Sequence, residues 1–168
     1  MEQLQHRNSS FKAKQKQIIV ICDGVNSPAN IGSLFRICEA FGVLEIIFCN
    51  AEINLSSNRL LRTARNTISK VKHRISENIL SEIENLEANN FELIALEITD
   101  ESQSIENFVI QSNAKLALVI GNERSGISQA ALDGIKKSIH ITMFGENSSL
   151  NVTQATAIAL HNFATKLN

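Results

Sequence analysis

Hydrophobic positions along the chain follow two periods in alternation. Five short runs, Ile18–Cys22, Leu44–Cys49, Phe91–Ile98, Leu116–Ile120 and Ile139–Met143, are rich in apolar residues, half of them β-branched, as strands of a parallel sheet buried on both faces would be. Between them the spacing turns helical. Ile31, Leu34, Phe35, Cys38 and Phe41 fall at i, i+3, i+4, i+7 and i+10, with Ser27-Pro28 as a start signal and Gly42 as a stop. Ile79, Ile83 and Leu86 repeat the pattern in a strongly acidic segment, and Val152, Ala155, Ala159, Leu160 and Phe163 make the last segment an amphipathic helix. Strand–helix alternation along the whole chain predicts an α/β domain: a parallel sheet flanked by helices.

Length adds that this is one domain. The chain has 168 residues, with one Pro and seven Gly, which leaves little linker material. Residues 1–16 read as a polar N-terminal extension and 17–168 as the domain. With 43% hydrophobic and 20% charged residues the composition is globular, which excludes disorder as a whole-chain reading. No apolar run approaches the roughly 20 residues of a membrane span, and the polar start does not resemble a signal peptide. The expectation is a cytoplasmic protein without membrane contact. Three cysteines, Cys22, Cys38 and Cys49, lie in apolar segments without metal-ligand spacing, so they read as small buried hydrophobes, and no metal is expected.

Net charge first argues against nucleic acid: 16 basic and 17 acidic residues give −1, and Trp and Tyr are absent. The distribution reverses that reading. Residues 1–74 carry 11 basic against 5 acidic residues, a net of +6, and the remainder carries 5 against 12, a net of −7. The basic half is a candidate phosphate-facing surface. Within it Arg59, Arg62 and Arg65 recur every three residues, and Lys70, Lys72 and Arg74 alternate as they would on one face of a strand.

Three loops follow predicted strands, where open α/β sheets bind ligands. They are Asn26–Arg36, Gly121–Ser128 and Gly145–Val152. The second has the GxxxxG spacing of a phosphate loop. However, Ile127 stands where the lysine would be, and Glu123 would set a negative charge beside the phosphates. Asn151-Val-Thr-Gln154 has the form of a capping box, which is a purely structural use. Arg36 lies about 140° round the helix from Ile31, away from the apolar stripe.

Together the loops resemble the SpoU-type (TrmH-type) RNA ribose 2′-O-methyltransferases of the SPOUT superfamily. The first family motif is matched by Asn30, Gly32 and Arg36, and the second by Leu116–Gly126. The third is matched by Ser149-Leu150-Asn151-Val152-Thr153. Each follows a predicted strand, in the family's order, over roughly Gln17 to the C-terminus.

The resemblance implies a deep trefoil knot in the C-terminal part of the sheet, a rare exception to unknotted topology. It also implies S-adenosylmethionine as cofactor, a homodimer, and RNA as substrate; the small size of the chain favours tRNA over rRNA as the target. Gly121, Asn122, Gly126, Ile141, Met143 and Leu150 would cradle the cofactor. Arg36 would act on the ribose hydroxyl, with Asn30 in loop geometry and Glu123, Ser149 and Asn151 holding Arg36 or the ribose. A guanidinium is a poor free base, so Arg36 either stabilises the developing oxyanion or relays a proton through a substrate phosphate. Arg59, Arg62, Arg65, Lys70, Lys72 and Arg74 would contact phosphates. Two other readings stay open: a non-catalytic RNA-binding module on the same scaffold, and a methyltransferase for small molecules that turns over without RNA.

Overall fold

The computed structural model describes residues 12–146 and 149–167; most of the polar extension, residues 1–11, lies outside them. Seven strands form one sheet: β1 (Ile18–Asp23), β2 (Glu45–Cys49), β3 (Lys72–Ser76), β4 (Phe91–Leu96), β5 (Gln103–Ser104), β6 (Lys115–Ile120) and β7 (Ser138–His140). Their order is β3-β2-β1-β6-β4-β7-β5, and every strand pairing is parallel. The expected parallel α/β sheet is therefore present. Strand β6 enters between β1 and β4, which brings the loops after these three strands to one edge of the sheet.

Period-2 alternation sorts the strands between two cores. Ile18, Val20 and Cys22 of β1 pack with α1 (Pro28–Ala40), α2 (Asn58–Ala64) and α5 (Val152–Lys166). Ile19 and Ile21 face the opposite layer, with α3 (Ile79–Ala88) and α4 (Gln129–Asp133). All six residues of β1 are buried, as a central strand covered on both faces requires. Among the described residues no helix is long and apolar enough to cross a membrane. The three cysteines are buried and free. Burial pushes their thiols up, Cys49 to about 12, so none is a thiolate nucleophile near neutral pH.

Helix α1 begins where the sequence signals it, with Ser27 at the N-cap and Pro28 in its first turn, and it ends before Gly42 at φ 66°. Gly32 has a role that spacing does not reveal. A Cβ there would stand 2.6 Å from the Leu60 carbonyl oxygen and 2.8 Å from Thr63 Cβ. Only glycine lets α1 and α2 pack this closely, and the packing fixes Arg59 and Arg62 relative to Arg36.

Two strands end before their apolar runs do. β4 ends at Leu96 because the Glu97 carboxylate turns back to accept from Ile98 N at 3.0 Å and Ile127 N at 3.2 Å. β7 stops at His140, and Ile141 and Met143 leave the sheet to line a cavity. The short elements β5, α2 and α4 lie in stretches with too few apolar positions to set a period.

The basic alternation 70-72-74 is resolved differently from expectation. Lys70 sits in a 3₁₀ turn (Ile68–Lys70), outside the strand. On β3, Lys72 lies opposite Glu45 in register, and its Nζ is 3.4 Å from Glu45 Oε1. Arg74 reaches Glu45 at 3.3 Å and forms a two-point pair with Glu82, at 2.5 and 2.6 Å. Lys70 pairs with Glu39 at 3.7 Å. These cations close the sheet edge onto α3 and α1 with carboxylate partners.

The Arg74 contact holds the Glu82 carboxyl below its ordinary range. A depressed carboxyl contributes stability that is fully present above its unfolded pKa, about 4.3, and is lost as pH falls through the lower folded value. Glu82→Gln is therefore expected to lower the melting temperature near pH 7 by about 2–8 °C, from roughly 1–2 kcal/mol for a partly exposed pair. It should also flatten the acid limb of the pH–stability curve below about pH 4.5. Thermal melts of both chains from pH 3 to 8 check this.

Candidate active site

At the carboxyl ends of β4, β6 and β7 lies a cavity of about 510 Å³. Its walls are the ends of those strands, the loop that follows β6, Ile141, Met143, Ser149–Asn151 and the first turn of α5. Gly121, Asn122, Gly126, Ile141, Met143 and Leu150 all line it, together with Glu123, Ser149 and Asn151. Its surface mixes apolar side chains with backbone groups, and Glu97 and Glu123 add carboxylates.

The loop 121–126 is a closed backbone structure. Asn122 N donates to Gly126 O at 3.0 Å, and Gly126 N donates to Asn122 O at 2.9 Å. A Cβ on Gly121 would lie 2.1 Å from the Gly126 carbonyl carbon and 2.2 Å from Ile127 N, so position 121 admits no side chain. Gly126, at φ 68°, packs against Glu97, whose Oε2 would be 2.5 Å from any Cβ there. The Asn122 side chain is used within the fold. Its Nδ2 donates to Gly24 O at 2.7 Å, and its Oδ1 accepts from Arg124 N at 2.9 Å and Ser125 N at 3.3 Å. This brace ties the loop after β6 to the loop after β1. A second tie is Ser128 N to the buried Asp23 carboxylate at 2.8 Å.

A chain of three side chains joins the three candidate loops. Asn30 Nδ2, in the first turn of α1, donates to Glu123 Oε1 at 2.5 Å, and Asn151 Nδ2 donates to Asn30 Oδ1 at 3.3 Å. Asn151 Oδ1 accepts from Thr153 N at 2.9 Å and Thr153 Oγ1 at 2.7 Å, so Asn151 also caps α5. Thr153 completes this cap in place of Gln154. Residues 93 and 121 positions away in sequence thus converge on Asn30.

Glu123 and Asn151 hold Asn30, and not Arg36. Arg36 is exposed, six residues further along α1, which is about 9 Å of rise and about 120° of rotation from Asn30. Among the described residues its guanidinium has no hydrogen bond or ion pair. Ser149 is exposed at the cavity rim. Glu97 and Leu96 are cavity residues that periodicity did not single out. The available signal was a carboxylate that interrupts the apolar run Leu93–Ile98 near its end. Among the described residues no three His, Cys, Asp or Glu side chains group as a metal site would.

Residues 17–161 match the sequence profile of the SpoU rRNA Methylase family. The chain belongs to that family. A tRNA (guanosine(18)-2′-O)-methyltransferase of Aquifex aeolicus is 29% identical over 169 residues, covering 95% of this chain and 74% of the relative. The crystal structure of the A. aeolicus TrmH/SpoU tRNA modifying enzyme superposes with a TM-score of 0.79 at 26% identity, covering 91% of this chain and 76% of that one. An AdoMet-bound rRNA methyltransferase from Sinorhizobium meliloti has the same fold. Its TM-score is 0.80 at 22% identity, with 90% of this chain and 57% of that chain covered.

In this SpoU-family chain the six residues expected to contact phosphates divide into two groups. Lys70, Lys72 and Arg74 have the carboxylate partners given above. Arg59 and Arg62 on α2, and Arg65 at its left-handed C-terminus, are exposed and have no side-chain partner among the described residues. Gly32 sets these three arginines on the helix packed against the one that carries Arg36.

Proposed function

We propose that this chain transfers a methyl group from S-adenosylmethionine to a ribose 2′-OH of RNA, with tRNA the favoured class. One observation carries the reading: the hydrogen-bonded chain Glu123–Asn30–Asn151, which joins the three family motifs beside a cofactor-sized cavity. The 29%-identical relative, whose name gives 2′-O-methylation of tRNA, supports the reaction and the substrate class. A homodimer and a knotted C-terminal part belong to the same reading. The exposed Ile158 on α5 is consistent with a partner surface.

The residues present fit S-adenosylmethionine. A cavity of about 510 Å³ is of the size that takes such ligands, and Leu96, Ile141, Met143 and Leu150 offer apolar surface for the adenine. Backbone groups at 121–126 can pair its polar edges, and Glu97 and Glu123 complement a cation. When bound, it supplies an electrophilic methyl group on a sulfonium, and no metal is needed.

The chain's own residues then divide the work. Gly121 lets the loop close against the cavity. Glu123 and Asn151 fix Asn30, and thereby the first turn of α1. Arg36 projects from this rigid helix with its charge unspent, and would stabilise the ribose oxygen as its proton passes to a substrate phosphate or to solvent water. Arg59, Arg62 and Arg65 bind phosphates, which positions RNA without reading its sequence. Lys70, Lys72 and Arg74 contribute less because their charges are already paired.

Comparing 2′-O-methylated nucleotides in total RNA from cells with and without the chain tests the reading. A nucleotide whose methylation depends on the chain is the expected result, and an unchanged map contradicts it. Retained RNA binding with no transfer would favour the non-catalytic module.

A further inference from the structure

The chain has no Trp and no Tyr, so its eight Phe rings are its only large aromatic surfaces. Among the described residues, Phe35, Phe48, Phe108 and Phe163 are buried in the core. Phe41 and Phe91 are half-buried, the first against His161 and the second beneath the Lys115 ammonium. Phe144 alone stands out, at 97% exposure. It contributes nothing to the core and does not line the cavity, which argues against contact with the adenine of a bound cofactor.

Its place in the chain is specific. Phe144 directly follows Met143, a wall of the cavity, and Ser149, Leu150 and Asn151, a few residues on in sequence, line the same cavity. A single exposed Phe elsewhere would need no explanation. Here the ring adjoins a wall of the cavity, and α1, tied to the cavity's loops through Asn30, and α2, packed on α1, present four exposed arginines without partners among the described residues. Those arginines can hold phosphates, but they leave the bases without partners. A nucleotide brought to a protein site loses stacking, and an aromatic ring replaces it without regard to base identity.

We propose that Phe144 is the stacking platform for a nucleobase of the RNA, at or beside the nucleotide whose ribose enters the site. This rests on the RNA reading given above. Hydrogen bonds are absent from such a contact, so Phe144 positions the nucleotide and leaves base preference to other groups.

A Phe144→Trp variant makes the test direct, because it carries the chain's only indole. Its substitution is at a fully exposed position and leaves the core untouched. Emission excited near 295 nm is recorded as bulk tRNA is added, with inorganic polyphosphate as a probe that has phosphates but no bases. Binding is followed in parallel by gel mobility shift. The expected results are saturable quenching by tRNA, none by polyphosphate, and a Phe144→Ala variant that binds tRNA about 5- to 100-fold more weakly. Retarded tRNA with unchanged emission would overturn the stacking role while leaving the RNA reading intact. No retardation of tRNA by the unsubstituted chain would overturn both. Emission that depends on protein concentration without RNA would overturn the proposal in favour of a second copy covering the ring.

Discussion

Arg36→Ala is expected to lower methyl transfer about 100- to 1,000-fold while S-adenosylmethionine affinity changes less than about twofold. The separation follows from geometry. Arg36 is exposed on α1, does not line the cavity, and has no partner among the described residues. Removing it therefore leaves no buried group unpaired, and the melting temperature should hold, since such surface changes cost at most about 0.5 kcal/mol. Only an interaction made late in the reaction is lost, so the loss falls on turnover and not on cofactor binding. Calorimetric titration of the cofactor beside single-turnover assays measures both quantities. Loss of cofactor affinity in the variant would move Arg36 from the ribose to the cofactor, and retained turnover would remove it from the reaction.

Gly121→Ala is expected to do the reverse and abolish cofactor binding, by 100-fold or more. The added methyl would lie 2.1 to 2.5 Å from three backbone atoms of Gly126 and Ile127. Backbone cannot rotate away as a side chain can, so the loop itself must shift. The two hydrogen bonds between Asn122 and Gly126 would then break, and Glu123 would be displaced from Asn30. One methyl group thus opens the cavity wall and cuts the link among the three loops. The melting temperature should also fall, and its recovery with added cofactor should be lost. A Gly121→Ala chain that binds cofactor normally would show that the loop packs otherwise in solution.

Much of this arrangement was legible in the sequence, for identifiable reasons. The five long apolar runs marked the central strands because residues buried on both faces must be apolar regardless of neighbours. Ser27, Pro28 and Gly42 marked α1 because capping is a local property. The second and third motifs marked the loops that line the cavity, and the first marked the helix start that hydrogen-bonds to both. What could not be read was any property decided across the sheet. Gly32 looks like a loop residue in sequence, and only the crossing of α1 over α2 explains it. Asn30 gave no sign that Glu123 and Asn151 would reach it, because β6 enters between β1 and β4 only in the folded chain. The charges at 70, 72 and 74 alternated as a phosphate-binding stripe would, yet Glu45 and Glu82 pair with two of them across strand and helix. Local pattern does not record which charges find partners.

These partners also sharpen the division of charge along the chain. A net of +6 over residues 1–74 includes three cations that are paired on the sheet edge. Of the cations that remain, Arg36, Arg59, Arg62 and Arg65 stand together on α1 and α2, where the proposed RNA contact would meet them. RNA affinity should accordingly fall with salt, by the counterion release that phosphate contacts produce.

The central claim is transfer to a ribose hydroxyl, and chemistry offers a direct measurement. Purified chain is incubated with methyl-labelled S-adenosylmethionine and tRNA, and the recovered RNA is hydrolysed in alkali. Cleavage at each linkage requires a free 2′-OH, so a methylated ribose leaves its linkage intact. The expected result is label confined to alkali-resistant dinucleotides, absent from the Arg36→Ala reaction. Label released in mononucleotides would place the methyl group on a base, and unlabelled RNA would deny the transfer; either contradicts the claim.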